Sequence, residues 1–252
     1  MNLRMNKMAN IFHPRTIVVH PDYENLRAFV ASVHERFRRN EGVVIHKGRN
    51  ELRQMEYGGR QYIVKSFCRP HIINRFVYGI FRASKAKRSY DYAEIYQKIG
   101  VGTPQPVGYL NVRRGLLFDR SYYISCLSTC PYVYADLFER KFEYEEEVLR
   151  AVGRTTAILH EHGYAHKDYG RENILFEKTP DGIKLEIVDL NRMHIGHISM
   201  KTGCKNFERL PASPQMHRWM AEEYAKVRGF DAEKCFELMV AYRTPQEDQT
   251  FI

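Results

Sequence analysis

"HKDYGRENILF", residues 166–176, sets His166, Asp168 and Asn173 at H-x-D-x-x-x-x-N spacing and runs directly into an apolar segment. The continuation, "ILFEKTPDGIKLEIVDLNRM" (174–193), reads as strand, Pro-Asp-Gly turn and second strand closing on Asp189. Proline pre-sets the turn backbone, and Asp and Gly tolerate its tight conformations. Asn173 and Asp189 therefore stand at adjoining ends of one predicted hairpin, close enough to share a small volume with Asp168. Two carboxylates and an amide oxygen are costly to gather without a cation, and such hard oxygen donors suit Mg²⁺. Singly, each residue has a plainer reading: Asp168 capping a turn, Asn173 satisfying loop backbone, Asp189 opening another turn. The joint spacing favours a site.

Upstream of the quoted stretch, residues 142–163 predict a helix, with glutamates at its start, where the helix dipole favours them. Leu149, Val152, Thr156 and Leu159 recur there at three and four, and Gly163 ends the run. His160, His162 and His166 invite a metal reading. Residues two apart on a helix face different sides, however, so "LHEHGYAH" reads better as helix end, turn and loop start. Earlier still, "GVVIHKGRNELRQMEYGGRQYIVKSF" (42–67) offers three short strands punctuated by "KGRN" and by the paired glycines of "YGGR". Lys65 interrupts the apolar strand "YIVKSF", and an ammonium there needs an anion: a triphosphate, or a carboxylate such as Asp91 or Glu94. Ile72, Ile73, Phe76, Val77, Ile80 and Phe81 recur at helical spacing, and a second helical segment follows that stops at Gly100. "TPQPVGYL" restarts an extended chain, and "LLFDRSYYISCL" (116–127) reads as two strands joined by a turn.

With 252 residues and 44% hydrophobic content, the chain can bury one sizeable core or two small lobes. Its apolar runs are shorter than a membrane-spanning helix needs, and "MNLRMNKMANIF" lacks the apolar core of a signal peptide, so the expected location is cytoplasmic. Five cysteines with only a faint zinc hint in the Cys126 and Cys130 spacing predict reduced thiols. A formal net charge of +9 predicts an anionic partner.

The order Lys65, acidic helix, hinge-like stretch, Asp168, Asn173 and Asp189 is that of protein-kinase-like folds. "KGRNEL", "VKSF", "SKAKRSYDYA", "GVGTPQPVGYL", "LHEHGYAHKDYGRENILF" and "IVDLNRM" together resemble the lipopolysaccharide kinase family, the Kdo and heptose kinases (WaaP-like), over about residues 42–210; "GCKNFERL" also has a family look. The resemblance implies an α+β, two-lobed fold, with a β-rich N-terminal lobe over 1–126 and a mostly helical C-terminal lobe over 127–252. It implies an ATP-dependent kinase acting on a Kdo or heptose hydroxyl of the lipopolysaccharide inner core. Asp168 would be the catalytic base, Asn173 and Asp189 would hold Mg²⁺, and Lys65 would bind the α- and β-phosphates with Asp91, in preference to Glu94, as its ion-pair partner. Tyr122 to Leu127 would supply backbone groups to the adenine.

Departures from the wider kinase pattern sharpen the expectation. One glycine stands where a Gly-rich loop would be, so Gly48, Arg49 and Asn50 would cradle phosphate through backbone amides and a guanidinium. "DLN" replaces D-F-G, no A-P-E follows, and the short remainder after Asp189 favours a non-protein acceptor. The acceptor is then an anionic sugar, lipid-linked or soluble. Arg75 to Arg88 form a basic amphipathic helix, read either as a packed element of the small lobe or as a peripheral contact with the cytoplasmic face of the inner membrane. The alternatives are a catalytically silent kinase-like binding module, or a kinase-like protein acting on RNA or protein.

Overall fold

A computed structural model describes residues 15–68, 83–114 and 117–243. The chain divides into two compact units, one comprising residues up to Glu94 together with Pro104–Leu127, the other Ile95–Thr103 together with the chain from Ser128 onward.

The first unit is built on a six-stranded sheet of order β1-β5-β6-β4-β3-β2 in which all pairs are antiparallel. The strands are β1 (Arg15–Val19), β2 (Val43–Lys47), β3 (Glu51–Tyr57), β4 (Arg60–Phe67), β5 (Pro106–Arg114) and β6 (Leu117–Cys126). Gly58 and Gly59 join β3 to β4 with φ of 59° and 74°. Positive φ at both central residues is what a two-residue hairpin turn of matching twist demands, and glycine supplies it without a side-chain clash. A 3₁₀ turn (Pro21–Leu26) leads into helix α1 (Arg27–Arg38), which lays Phe29, Val30, Val33 and Phe37 against Met55, Val64, Leu110 and Ile124 of the sheet. Helix α2 (Lys85–Lys98) follows later in the chain, and Ala86 near its start packs with Phe67 and Tyr109 in a second, smaller cluster.

Residues 117–126 form one unbroken strand where the sequence suggests two with a turn. β6 lies between β5 and β4, so its backbone is paired on both sides, and that pairing overrides the turn preference of Asp119-Arg120-Ser121. The apolar part of the Arg75 to Arg88 helix lies outside the described residues.

The second unit holds helices α3 (Asp136–Glu139), α4 (Glu145–Glu161), α5 (Met200–Lys205), α6 (Pro214–Arg228) and α7 (Ala232–Tyr242). Strands β7 (Tyr132–Val133), β9 (Ile174–Thr179) and β10 (Gly182–Ile187) make a three-stranded sheet, and β8 (Tyr164–His166) pairs with β11 (Met193–Ile195). Helix α4 buries the four residues whose spacing announces it. It approaches α6 so closely that a Cβ added at Gly153 would lie 2.3 Å from the Met220 carbonyl oxygen. The ends of α6 follow local chemistry: the Ser213 hydroxyl accepts from the Met216 amide, proline stands in the first turn, and Gly229 closes the helix at φ 63°.

Candidate active site

The loop from Lys167 to Asn173 leaves β8 and enters β9, and both of its ends are fixed by hydrogen bonds. His166 is fully buried, and its Nδ1 accepts the Asp168 amide proton at 3.1 Å. The ring proton must then sit on Nε2, which donates to the Val188 carbonyl at 3.2 Å. Burial holds the His166 pKa below the usual imidazole value, so the ring is neutral and acts as a spacer. One side chain thereby ties the backbone of Asp168 to the residue preceding Asp189.

Asn173 closes the loop from the other end. Its Nδ2 donates to the Asp168 carbonyl at 2.8 Å, and its own carbonyl accepts from the Val188 amide at 3.0 Å. With the nitrogen so committed, Oδ1 is the atom left to meet a cation. The β9–β10 pairing sets Ile174 opposite Ile187, so Asn173 and Asp189 are carried by adjoining ends of the hairpin. Asp189 has φ of 61°, a left-handed conformation that aspartate accepts more readily than most side chains, and Asn191 Nδ2 donates to its Oδ1. An amide oxygen and a carboxylate on a rigid hairpin end are hard donors, and this donor set fits Mg²⁺. Among the described residues no group of three or more His, Cys, Asp or Glu side chains gathers as a separate metal cluster.

Several supporting residues escape the sequence reading. Asn206, in "GCKNFERL", donates from Nδ2 to the His166 carbonyl at 2.8 Å and accepts at Oδ1 from His160 Nε2 at 3.0 Å. His160 Nδ1 in turn accepts from the Tyr224 hydroxyl at 2.9 Å, and burial pushes the His160 pKa down to about 4. This chain ties α4 and α6 to the loop. Tyr169, otherwise unexplained, is buried and hydrogen-bonded at 2.7 Å to Thr156 of α4. The Asp168 carboxylate meets two arginines: Arg192 Nη1 lies 3.1 Å and 3.3 Å from its two oxygens, and Arg209 Nη1 lies 3.3 Å from Oδ1. The only hint of these partners in the sequence is their place in "DLNRM" and "NFERL".

In the first unit, Lys65 sits on β4 opposite Leu52 and Tyr123, with Nζ 5.7 Å from the Phe67 ring centroid. Tyr62 and Val64 belong to the α1-facing cluster, so strand alternation turns Lys65 to the opposite face. The expected Asp91 partner is engaged elsewhere. Lys87, one helical turn away, takes both Asp91 carboxylate oxygens at 2.9 Å and 2.8 Å, the favoured geometry of residues four apart on a helix. Glu94 lies 3.3 Å from His20 Nε2. In the turn from β2 to β3 the Gly48 amide donates to the Asn50 carbonyl at 3.1 Å, and Asn50 Oδ1 accepts from the Cys68 amide at 3.3 Å. The Gly48 amide and Asn50 Oδ1 are thus engaged within the fold, and exposed Arg49 is the group of the three that offers a charge to solvent. Residues 122–126, expected to offer backbone groups to adenine, pair within β6, so only Leu127 of that stretch lies beyond the ladder.

No curated protein matches the sequence. Among solved structures the chain is similar to a WaaP in complex with acyl carrier protein, at 16% identity and a TM-score of 0.63, covering 94% of this chain and 100% of that one. It is also similar to the Rio2 kinase from Chaetomium thermophilum, solved as an ADP/Mg²⁺-phosphoaspartate complex, at 12% identity and a TM-score of 0.51, covering 98% of this chain and 81% of that one. Both likenesses identify a kinase-like fold. The sequence model of the Lipopolysaccharide kinase (Kdo/WaaP) family matches residues 33–229, a span that holds Lys65, the whole loop from His166 to Asn173, Asp189 and the arginines beside Asp168. By that match over most of its length, the chain belongs to the lipopolysaccharide kinase (Kdo/WaaP) family.

Proposed function

We propose that this lipopolysaccharide kinase transfers the γ-phosphoryl group of ATP to a sugar hydroxyl of Kdo or heptose in the inner core. The observation that carries the reading is the loop from His166 to Asn173, whose hydrogen bonds present the Asp168 carboxylate beside the hairpin end bearing Asn173 and Asp189. Asp168 receives the proton of the acceptor hydroxyl as it attacks phosphorus. Asn173 Oδ1 and the Asp189 carboxylate hold Mg²⁺, which when bound neutralises charge building on the transferred phosphates. Lys65 meets the α- and β-phosphates, with exposed Arg49 of the β2–β3 turn as a second cation for phosphate. The presence of Lys65, Asp168, Asn173 and Asp189 together favours catalysis over a silent binding module.

The proposed setting is the cytoplasmic face of the inner membrane, reached peripherally. Among the described residues no helix is long and apolar enough to cross a membrane, and the +9 charge suits an anionic surface. The acyl carrier protein in the WaaP structure favours a protein partner as a second reading of that charge.

Label transfer from γ-labelled ATP to Kdo-containing and heptose-containing lipid acceptors tests the assignment. The wild-type chain should label one class. Asp168→Asn, which keeps size and hydrogen bonding but removes the base, should lower turnover by about 100-fold or more with little change in ATP affinity. Wild-type turnover in Asp168→Asn would remove the base from Asp168.

A further inference from the structure

The Asp168 carboxylate is held by two arginines. Arg192 and Arg209 come from segments 24 and 41 residues away in sequence, yet both end on this one carboxylate. Each engages it through a single terminal nitrogen, Nη1, and the two side chains remain 58% and 55% exposed. A guanidinium offers five N–H donors in a planar fork suited to two-pronged recognition of oxyanions, and end-on contact leaves most of that fork unspent. The Arg192 backbone is anchored. The Arg192 carbonyl accepts from the Lys167 amide at 3.0 Å, and Arg209 lies in the short segment between α5 and the N-cap of α6. At the Asp168 carboxylate two guanidiniums meet one negative charge; Lys167 is exposed on the same loop, where Arg171 is paired with Glu172 at 3.4 Å.

This arrangement has a chemical cost if left as it is. A carboxylate whose oxygens are occupied by two guanidiniums has fewer lone pairs for an incoming hydroxyl. The conflict disappears if the acceptor brings its own anion. We infer that Arg192 and Arg209 form an anion subsite for the acceptor: a carboxylate or phosphate on the acceptor replaces Asp168 as their partner. The displaced Asp168 carboxylate is thereby freed to receive the proton of the neighbouring hydroxyl. Neutral sugars lack the displacing group and leave the base covered, so the same pair sets specificity for charged acceptors. The inference rests on the reading of Asp168 as the base, and it names the chemistry the acceptor must carry.

Direct binding separates the inference from the activity. The full chain is titrated calorimetrically with Kdo against its methyl ester, and with glucose 6-phosphate against glucose, which tells a carboxylate source from a phosphate source. Wild type should bind the charged member of at least one pair at least about tenfold more tightly than the neutral member. Arg192→Gln/Arg209→Gln should erase that preference while leaving the Mg²⁺-ATP melting shift intact, which also certifies folding. Asp168→Asn should bind the anion more tightly than wild type, because the competing carboxylate charge is gone. Equal binding of charged and neutral members, retention of the preference in the double variant, or unchanged affinity in Asp168→Asn would each overturn the subsite. If the charge preference holds but no lipopolysaccharide acceptor is phosphorylated, the subsite stands and the proposed reaction fails. If phosphorylation proceeds with no charge preference, the reverse is true.

Discussion

At the scale of single residues, the loop around Asp168 depends on side chains whose hydrogen-bonding capacity is divided between scaffold and chemistry. Asn173 spends its nitrogen on the Asp168 carbonyl, and its oxygen is the atom proposed to meet a cation. Asp189 carries a left-handed backbone, which dictates how its role is tested. Alanine there would mix loss of a ligand with backbone strain, whereas asparagine tolerates the same φ and removes only the charge. Asp189→Asn should therefore fold like wild type, while the rise in melting temperature produced by Mg²⁺ with ATP should largely vanish. A full shift in Asp189→Asn would take this carboxylate out of the metal site. Of these residues, His166, Asp168, Asn173 and Asp189 were legible because they lie within one short stretch whose spacing is itself the signal. Arg192 and Arg209 were not, because which distant cation reaches a carboxylate is decided by the folded chain. The contact of Asp91 with Lys87 was not legible for a related reason: Lys87 is a near neighbour on the same helix face.

At the scale of elements, hydrophobic period carried the reading wherever it ran long enough. The α4 register is fixed by Leu149, Val152, Thr156 and Leu159, all fully buried, and the hairpin from Ile174 to Ile187 turns at Pro180-Asp181 as its composition demands. Helix α1 shows the opposite case. Phe29, Val30, Val33 and Phe37 form an apolar stripe on a helix that the sequence reading passes over. The packing of α4 on α6 gives a test with an unusual sign. Replacing a mid-helix glycine by alanine ordinarily stabilises by roughly 1 kcal/mol. At Gly153 the new methyl would meet main chain of α6, at 2.3 Å from the Met220 oxygen, and backbone cannot step aside as a flexible side chain can. Gly153→Ala should therefore destabilise, by about 1–3 kcal/mol in chemical denaturation. The damage should extend to turnover, since α6 carries Tyr224, which holds His160, and His160 holds Asn206 against the His166 carbonyl at the start of the Asp168 loop. A stability gain would mean that the two helices separate without penalty.

At the scale of the whole molecule, a net charge of +9 must be carried by groups that the fold does not neutralise internally. Many arginines are committed: Arg36 to Glu41, Arg53 to Glu51, Arg150 to Glu146 and Glu222, Arg154 to Glu223, and Arg218 to Glu233. Lys87 is committed as well, to Asp91, so neutralising it would release a carboxylate on α2 and confuse any test of surface charge. The basic segment from Arg75 to Arg88 is better probed through Arg82 and Lys85, with Lys87 kept. If this segment meets the membrane, vesicles containing anionic lipid should bind the wild-type chain and neutral vesicles should not. Added salt should weaken that binding as the Debye length contracts. Each cation near such a surface contributes about 1 kcal/mol, so Arg82→Gln/Lys85→Gln should weaken vesicle binding by roughly tenfold or more. The Mg²⁺-ATP melting shift and turnover on a short soluble acceptor should stay near wild type, because nucleotide and acceptor chemistry are assigned to other residues. Vesicle sedimentation across a salt series reads the first effect and label transfer the second. Undiminished vesicle binding by the double variant would return the segment to a packing role and send the search for the anionic partner to the arginines around Asp168.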